Sequence, residues 1–113
     1  MVPDEIRRKR DELTMVDCQV NWCDDQGLAD HNMPGAGPGG DLNPFGWYVV
    51  GSTGGGNGLV VRADDPGVYF ADHEWDDDGT AEGVRRELIL LAPSIEEFRR
   101  NVVEIQARLD EIA

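Results

Sequence analysis

A chain of 113 residues has the usual length of one domain, and a hydrophobic fraction of 40% suffices for a modest core. Its 23 acidic residues against 10 lysines and arginines give a net charge of −13, which repels nucleic acids and anionic membranes. Such a charge either attracts cationic proteins or only keeps a small protein soluble. No apolar run is long enough to span a membrane and the first residues do not open a signal peptide, so we expect a soluble, cytoplasmic protein.

The first helix is predicted over residues 4–16, where Ile6, Leu13 and Val16 are the candidate apolar positions. Four consecutive basic residues, 7–10, lie within it between acidic neighbours. Because the flanking carboxylates balance these charges, we interpret the run as a solvated helix face rather than a nucleic-acid patch.

The two cysteines, Cys18 and Cys23, are separated by four residues and have no second pair. A zinc site would need His31 and His73 from distant parts of the chain. We therefore expect two thiols in a reducing compartment, with no metal and no cofactor.

A short strand is predicted at residues 19–23, and a mobile loop at residues 24–43, where glycine, proline and aspartate dominate. Residues 35–40 of this loop match G-x-G-x-x-G literally. A dinucleotide site needs a buried strand before this motif and a helix after it. Since the sequence predicts neither and Pro38 interrupts the run, we expect no dinucleotide site.

Three strands are predicted next, at residues 45–50, 59–62 and 68–71, where aromatic and β-branched side chains are frequent. Glycines and an asparagine in residues 54–58 predict the first turn, because they tolerate positive φ angles. The Asp-Asp-Pro-Gly sequence at 64–67 predicts the second turn.

Residues 72–79 form the densest acidic segment. Aligned with a calcium-binding EF-hand loop, Glu74, Asp76 and Asp78 take the first, third and fifth ligand positions, but Arg85 takes the twelfth, where a bidentate glutamate is required. His73 faces away from its acidic neighbours in an extended strand, and no activated nucleophile is suggested nearby. We expect neither a calcium loop nor an enzyme.

The apolar residues 87–92 predict a further strand, central in the sheet because the run is nearly unbroken. Ser94 and Glu97 form a capping box that opens the clearest helix. Its apolar positions recur at three- and four-residue steps and predict one buried stripe: Ile95, Phe98, Val102, Ile105, Leu109 and Ile112. These elements predict an α+β fold, with a largely antiparallel sheet of about four to five strands packed against a C-terminal amphipathic helix.

Three segments in this order resemble the SUKH superfamily: GSTGGGNG at 51–58, PGVYFADHE at 66–74 and SIEEFRRNV at 94–102. The superfamily includes fungal cell-wall-assembly regulators and bacterial immunity proteins of polymorphic toxin systems, and it implies the same α+β architecture. The resemblance covers residues 47–103. Members usually carry an amphipathic N-terminal helix with Leu-Pro and Asn-Gly pairs, which residues 1–46 lack. We expect a single SUKH-like domain over 1–113, with 47–113 as its core and 1–46 as a divergent or trimmed part.

The resemblance implies a non-enzymatic binding protein, an immunity protein that neutralises a toxin such as a nuclease, and the acidic charge agrees with a basic partner. The alternatives are a regulatory or scaffolding SUKH domain, and a metal-binding or enzymatic module built on residues 72–78. Trp75 beside acidic residues has the composition of an interface hot spot, although it can equally cap the core. The predicted partner-binding residues are Asp72, His73, Glu74, Trp75, Asp76, Asp77 and Asp78.

Overall fold

The structure, a computed structural model, describes residues 2–53, 56–72 and 79–112. Its strands are β1 (Asn21–Trp22), β2 (Trp47–Ser52), β3 (Gly58–Arg62), β4 (Asp65–Ala71) and β5 (Ile89–Ala92). Its helices are α1 (Asp4–Thr14), α2 (Asp25–His31), α3 (Gly37–Leu42), α4 (Ala81–Glu87), α5 (Ile95–Arg100) and α6 (Val102–Ile112), with a 3-10 turn at Asn43–Phe45. Among the helices described, none is long and apolar enough to cross a membrane.

The strands form one antiparallel sheet in the order β1-β2-β3-β4-β5, so each strand pairs with its sequence neighbours. Cross-strand partners share a face of a sheet, which places Val60 and Tyr69 on one face and Leu59 and Phe70 on the other. The central strand β3 is buried from Gly58 to Val61, so both faces of the sheet are covered at its centre. The predicted α+β fold with an antiparallel sheet is confirmed.

The C-terminal helix is also confirmed, although it is divided at Asn101 into α5 and α6. The Ser94 hydroxyl accepts a hydrogen bond from the Glu97 amide at 3.1 Å, as an N-cap does. Phe98 is fully buried, and its ring meets Trp22 edge-on at a centroid distance of 5.9 Å. Ile105 and Leu109 extend the buried stripe along α6.

The mobile loop predicted at residues 24–43 is wrong, because this segment contains α2 and α3. Asp24 caps α2 by accepting from the Gly27 amide at 2.7 Å, and Leu28 and Leu42 are fully buried. The glycines serve close packing: a Cβ on Gly39 would lie 1.9 Å from the His31 carbonyl oxygen. The G-x-G-x-x-G run at 35–40 thus overlaps the start of α3. The element before it is helix α2, however, and not the buried strand that a dinucleotide site needs.

Two predicted details of the sheet are also wrong. The strand expected to be central, β5, lies at the edge of the sheet, and Leu90 is 43% exposed there. It begins only at Ile89 because α4, which the sequence analysis missed, extends to Glu87. The turn expected at 64–67 lies earlier, since Arg62 pairs directly with Asp65 across a two-residue turn.

The basic run in α1 is not the solvated face that the sequence predicted. Lys9 and Arg10 are only 9% and 7% exposed, and they share the inward side of the helix with Ile6 and Leu13. The reason is their spacing, since these four positions follow the i, i+3, i+4, i+7 pattern of one helix face. Residues before position 47 thus contribute to the same hydrophobic core as the strands.

Candidate partner-binding surface

The predicted interface segment 72–78 lies largely outside the described residues. Asp72 is described, and it is exposed immediately after β4 ends at Ala71. The other six predicted residues (His73, Glu74, Trp75, Asp76, Asp77 and Asp78) fall outside that part of the chain. Their role as a binding surface stays a prediction.

The buried cations of α1 are satisfied inside the protein. The Lys9 ammonium donates to the backbone carbonyls of Arg62 and Asp65 at 2.6 and 2.7 Å. The Arg10 guanidinium donates to the Cys23 carbonyl at 2.8 Å and to the Asp25 carboxylate at 2.6 Å. Neither charge is therefore presented to a partner.

Most of the other arginines are also engaged. Ion pairs join Arg7 to Asp25, Arg8 to Glu5, Arg62 to Asp64, Arg85 to Asp65, and Arg100 to both Glu96 and Glu97. Arg108 instead donates to the Leu90 carbonyl at 2.7 Å, on the edge strand. Internal pairing thus neutralises much of the positive charge and leaves the acidic excess on the surface.

The exposed carboxylates are spread over the helices and their connections. They include Asp4, Glu12, Asp17, Asp30, Asp41, Glu82, Glu87, Glu104, Asp110 and Glu111. A surface of this kind creates a negative field around the molecule that raises the encounter rate with cationic proteins.

Three aspartates have lowered pKa values that follow from their cationic or amide partners. Hydrogen bonding to Arg10 lowers the pKa of Asp25, and hydrogen bonding to Arg62 lowers the pKa of Asp64. At Asp65, burial acts to raise the pKa, but hydrogen bonds from the Gly67 amide, Arg85 and Tyr69 outweigh it, so the pKa is lowered. These carboxylates remain charged under mildly acidic conditions.

A buried aromatic cluster at the β3–β4 end of the sheet was missed by the sequence analysis. Trp47 is buried, with the guanidinium carbons of Arg62 and Arg85 at 5.9 and 5.3 Å from its ring centroid. Tyr69 meets it edge-on at 4.9 Å and donates to the Asp65 carboxylate. The arginines bracket a buried ring and pair with aspartates, so the arrangement is structural. The sequence shows the aromatic residues Trp47 and Tyr69 but not their contact, which depends on the pairing of β2, β3 and β4.

The thiols and the candidate metal ligands offer no reactive centre in the described part of the chain. Both cysteines are free, and burial raises the pKa of Cys23 to about 11. Burial also raises the pKa of Cys18. A thiol with a raised pKa is a poor nucleophile near neutral pH. No group of three His, Cys, Asp or Glu side chains able to hold a metal occurs in residues 2–53, 56–72 and 79–112.

Two concave surfaces of about 460 Å³ each are candidates for binding. The first lies beside the start of α1 and is lined by Val2, Arg7, Asn32, Met33 and Tyr48 among others. The second, which we call the α6 groove, lies between residues 17–19 and the α6 residues Val102, Val103, Gln106, Ala107 and Asp110. The α6 groove combines apolar side chains with two exposed carboxylates, Asp17 and Asp110.

Comparison of the chain with protein-family models, with curated proteins and with solved structures found no match. The SUKH resemblance therefore stays a prediction from residues 51–58, 66–74 and 94–102.

Proposed function

We propose that this chain is an acidic binding protein that neutralises a basic protein toxin, such as a nuclease, by covering it as an immunity protein does. A nuclease surface shaped for phosphates is basic, so an acidic protein of complementary charge associates with it quickly and specifically. Binding alone suffices for neutralisation, and the proposal assigns no catalytic residue.

The observation that supports the proposal is that most basic side chains are paired within the protein, whereas many acidic side chains are exposed. Two cations, Lys9 and Arg10, are buried and bonded internally, and six other arginines form ion pairs or backbone hydrogen bonds. The acidic residues outnumber the basic ones by 23 to 10, and many are exposed. The surface consequently offers carboxylates to a partner and few free cations.

The partner-binding segment 72–78 belongs to this proposal. Charge reversal at Asp76, Asp77 and Asp78 together is expected to slow association several-fold at low salt if these residues steer the encounter. Trp75→Ala is expected to speed dissociation if that side chain is an anchor. An unchanged association rate in the triple variant across salt concentrations would move the interface elsewhere on the molecule.

The proposal predicts a gene for a basic toxin beside the gene of this chain, and co-expression of the two proteins tests the function. We expect growth to be rescued and the two proteins to co-purify as a complex. A regulatory or scaffolding domain would form no complex with such a toxin and would give no rescue. Failure of both readouts with a toxin that is active alone would overturn the proposal.

A further inference from the structure

We propose that the α6 groove is the docking site for a basic segment of the partner, which inserts an apolar side chain between residues 17–19 and helix α6. This inference rests on the proposed function, because it assigns the partner of that function to one surface. The occupant has a definite chemistry, an apolar side chain flanked by lysine or arginine.

Part of the groove lining is an apolar strip that the fold leaves exposed. Val103 is 79% exposed, although the opposite side of α6 is buried in the core through Ile105 and Leu109. Val103 and Ala107 are one turn apart, so they lie on the same outward side of the helix. The groove has a volume of about 460 Å³ and is open to solvent, as a docking surface for a protein segment must be.

The two walls of the groove are joined by one side chain. The Gln106 amide oxygen accepts from the backbone amide of Gln19 at 2.7 Å, and its amide nitrogen donates to Asp110 at 3.0 Å. Gln106 thereby fixes the distance between α6 and the 17–19 segment and also orients the Asp110 carboxylate. A groove fixed before binding loses less conformational entropy when an occupant arrives.

The negative charge of the groove indicates which kind of partner segment it binds. Asp17 and Asp110, which we call the rim, line the groove and are both exposed, and no lysine or arginine in the described ranges forms an ion pair with either. Cations beside an apolar side chain would complement this rim, whereas a second copy of a chain with net charge −13 would be repelled. The observations therefore favour a basic protein segment over self-association.

The probe is a fluorescein-labelled peptide, Lys-Lys-Ala-Leu-Ala-Lys-Lys, compared with a second peptide in which serine replaces the leucine. We expect the leucine peptide to bind more tightly and to shift the amide resonances of Val103 and Ala107. Val103→Gln, which removes apolar surface without adding charge, is expected to weaken binding about tenfold, as loss of one interface anchor does. Met15→Gln is the matched control, since Met15 is 81% exposed and does not line the groove.

The charge of the rim is tested separately on α6. Asp110→Asn keeps an oxygen that can accept from Gln106 but removes the carboxylate charge, so binding should weaken and depend less on salt. Glu111→Gln removes the same charge from the neighbouring exposed position, which does not line the groove. We expect it to leave the peptide affinity nearly unchanged.

Cys18 provides an independent readout because it lines the groove. Cys23 is buried, so a thiol reagent at alkaline pH should modify Cys18 first. We expect the leucine peptide to slow this modification and the serine peptide to slow it much less.

Several results would overturn the inference. Equal peptide affinity in Val103→Gln and Met15→Gln would mean that binding reflects overall charge alone. Self-association of the free protein that Val103→Gln abolishes would identify a second copy as the occupant. If the Val103→Gln variant neutralises the toxin with unchanged affinity, the proposed function is supported and the α6 groove is excluded as the docking site. If the peptide binds in the groove but the chain does not neutralise the toxin, the groove is a binding site for basic segments and the proposed function is wrong.

Discussion

The Lys9 ammonium lies 2.7 Å from the backbone carbonyl oxygen of Asp65, which is 56 residues further along the chain. The same ammonium donates to the Arg62 carbonyl at 2.6 Å. Arg62 and Asp65 are cross-strand partners on either side of the β3–β4 turn, so a single side chain of α1 ties this helix to the turn.

Lys9→Ala is expected to lower the free energy of unfolding by about 2–3 kcal/mol, because it removes charged hydrogen bonds from two partly buried carbonyls. Arg8→Ala is the control: the Arg8 side chain is 69% exposed and pairs only with Glu5 among the described residues, so the expected change is within about 0.5 kcal/mol. Urea unfolding measures both. Equal losses in the two variants would show that the Lys9 contacts do not stabilise the fold.

The position of Lys9 illustrates what local sequence can and cannot predict. The N-cap at Ser94, the apolar stripe through Phe98 and the strand segments were predictable because each depends on periodicity or on residues a few positions apart. The reciprocal half of the predicted capping box is wrong, since the Glu97 carboxylate accepts from Arg100 and Asn101 instead. The burial of Lys9 depends on carbonyls of a distant turn. The only local signal was that position 9 lies on the same helix face as Ile6 and Leu13. That signal was overlooked because the residue at this position is a lysine.

The other errors have the same physical origin. The glycines of residues 35–40 predicted mobility, but Gly39 is small so that α3 can pack against the end of α2. The apolar run of β5 does not reveal its edge position, because strand order depends on partners elsewhere in the chain. The α6 groove was likewise not predictable, since Asp17 and Asp110 come together only through tertiary packing.

Asn32 anchors the segment that was expected to be a loop. Its side chain accepts from the Val49 amide at 2.9 Å and donates to the carbonyls of Val49 and Leu28. Asn32→Ala is expected to cost about 2–4 kcal/mol, since three buried hydrogen bonds of about 1 kcal/mol each are lost. Hydrogen exchange across 25–42 should be slow in the wild type and faster in the variant.

The control for this prediction is Asn21→Ala, at an exposed position on the edge strand β1, for which we expect a change within about 0.5 kcal/mol. Fast exchange of the Leu28 and Leu42 amides in the wild-type protein would contradict the structure of this segment.

Phe98→Ala is expected to cost about 3–5 kcal/mol, because it removes a fully buried ring from the core and its edge contact with Trp22. Val103→Ala, on the exposed side of α6, should change stability by less than about 0.5 kcal/mol. Urea unfolding compares them. A loss below about 1 kcal/mol for Phe98→Ala would contradict the assignment of the buried stripe.

Asp65 should contribute to the acid sensitivity of the protein. Its folded pKa is lowered because the Gly67 amide, Arg85 and Tyr69 outweigh the effect of burial, so its stabilising contribution is present above its unfolded pKa of about 3.9. That contribution is lost as the pH falls through the folded pKa. Asp65→Asn should therefore be less stable than wild type at pH 7, with the difference shrinking below about pH 4.

Unfolding in urea at several pH values between neutral and strongly acidic conditions measures this difference. Asp64→Asn is the matched neighbour: the Asp64 side chain is 71% exposed, so we expect a much smaller difference at every pH. A stability gap for Asp65→Asn that stays constant down to pH 3 would exclude the proposed linkage.

The central claim is that this acidic chain neutralises a basic protein by binding it. The most direct measurement is inhibition of the purified toxin by the purified chain, with the association rate followed as the salt concentration increases. We predict complete inhibition at one chain per toxin and an association rate that falls about tenfold or more from low salt to roughly 0.5 M. A toxin that keeps its activity in the presence of excess chain, or an association rate that does not change with salt, would contradict the account.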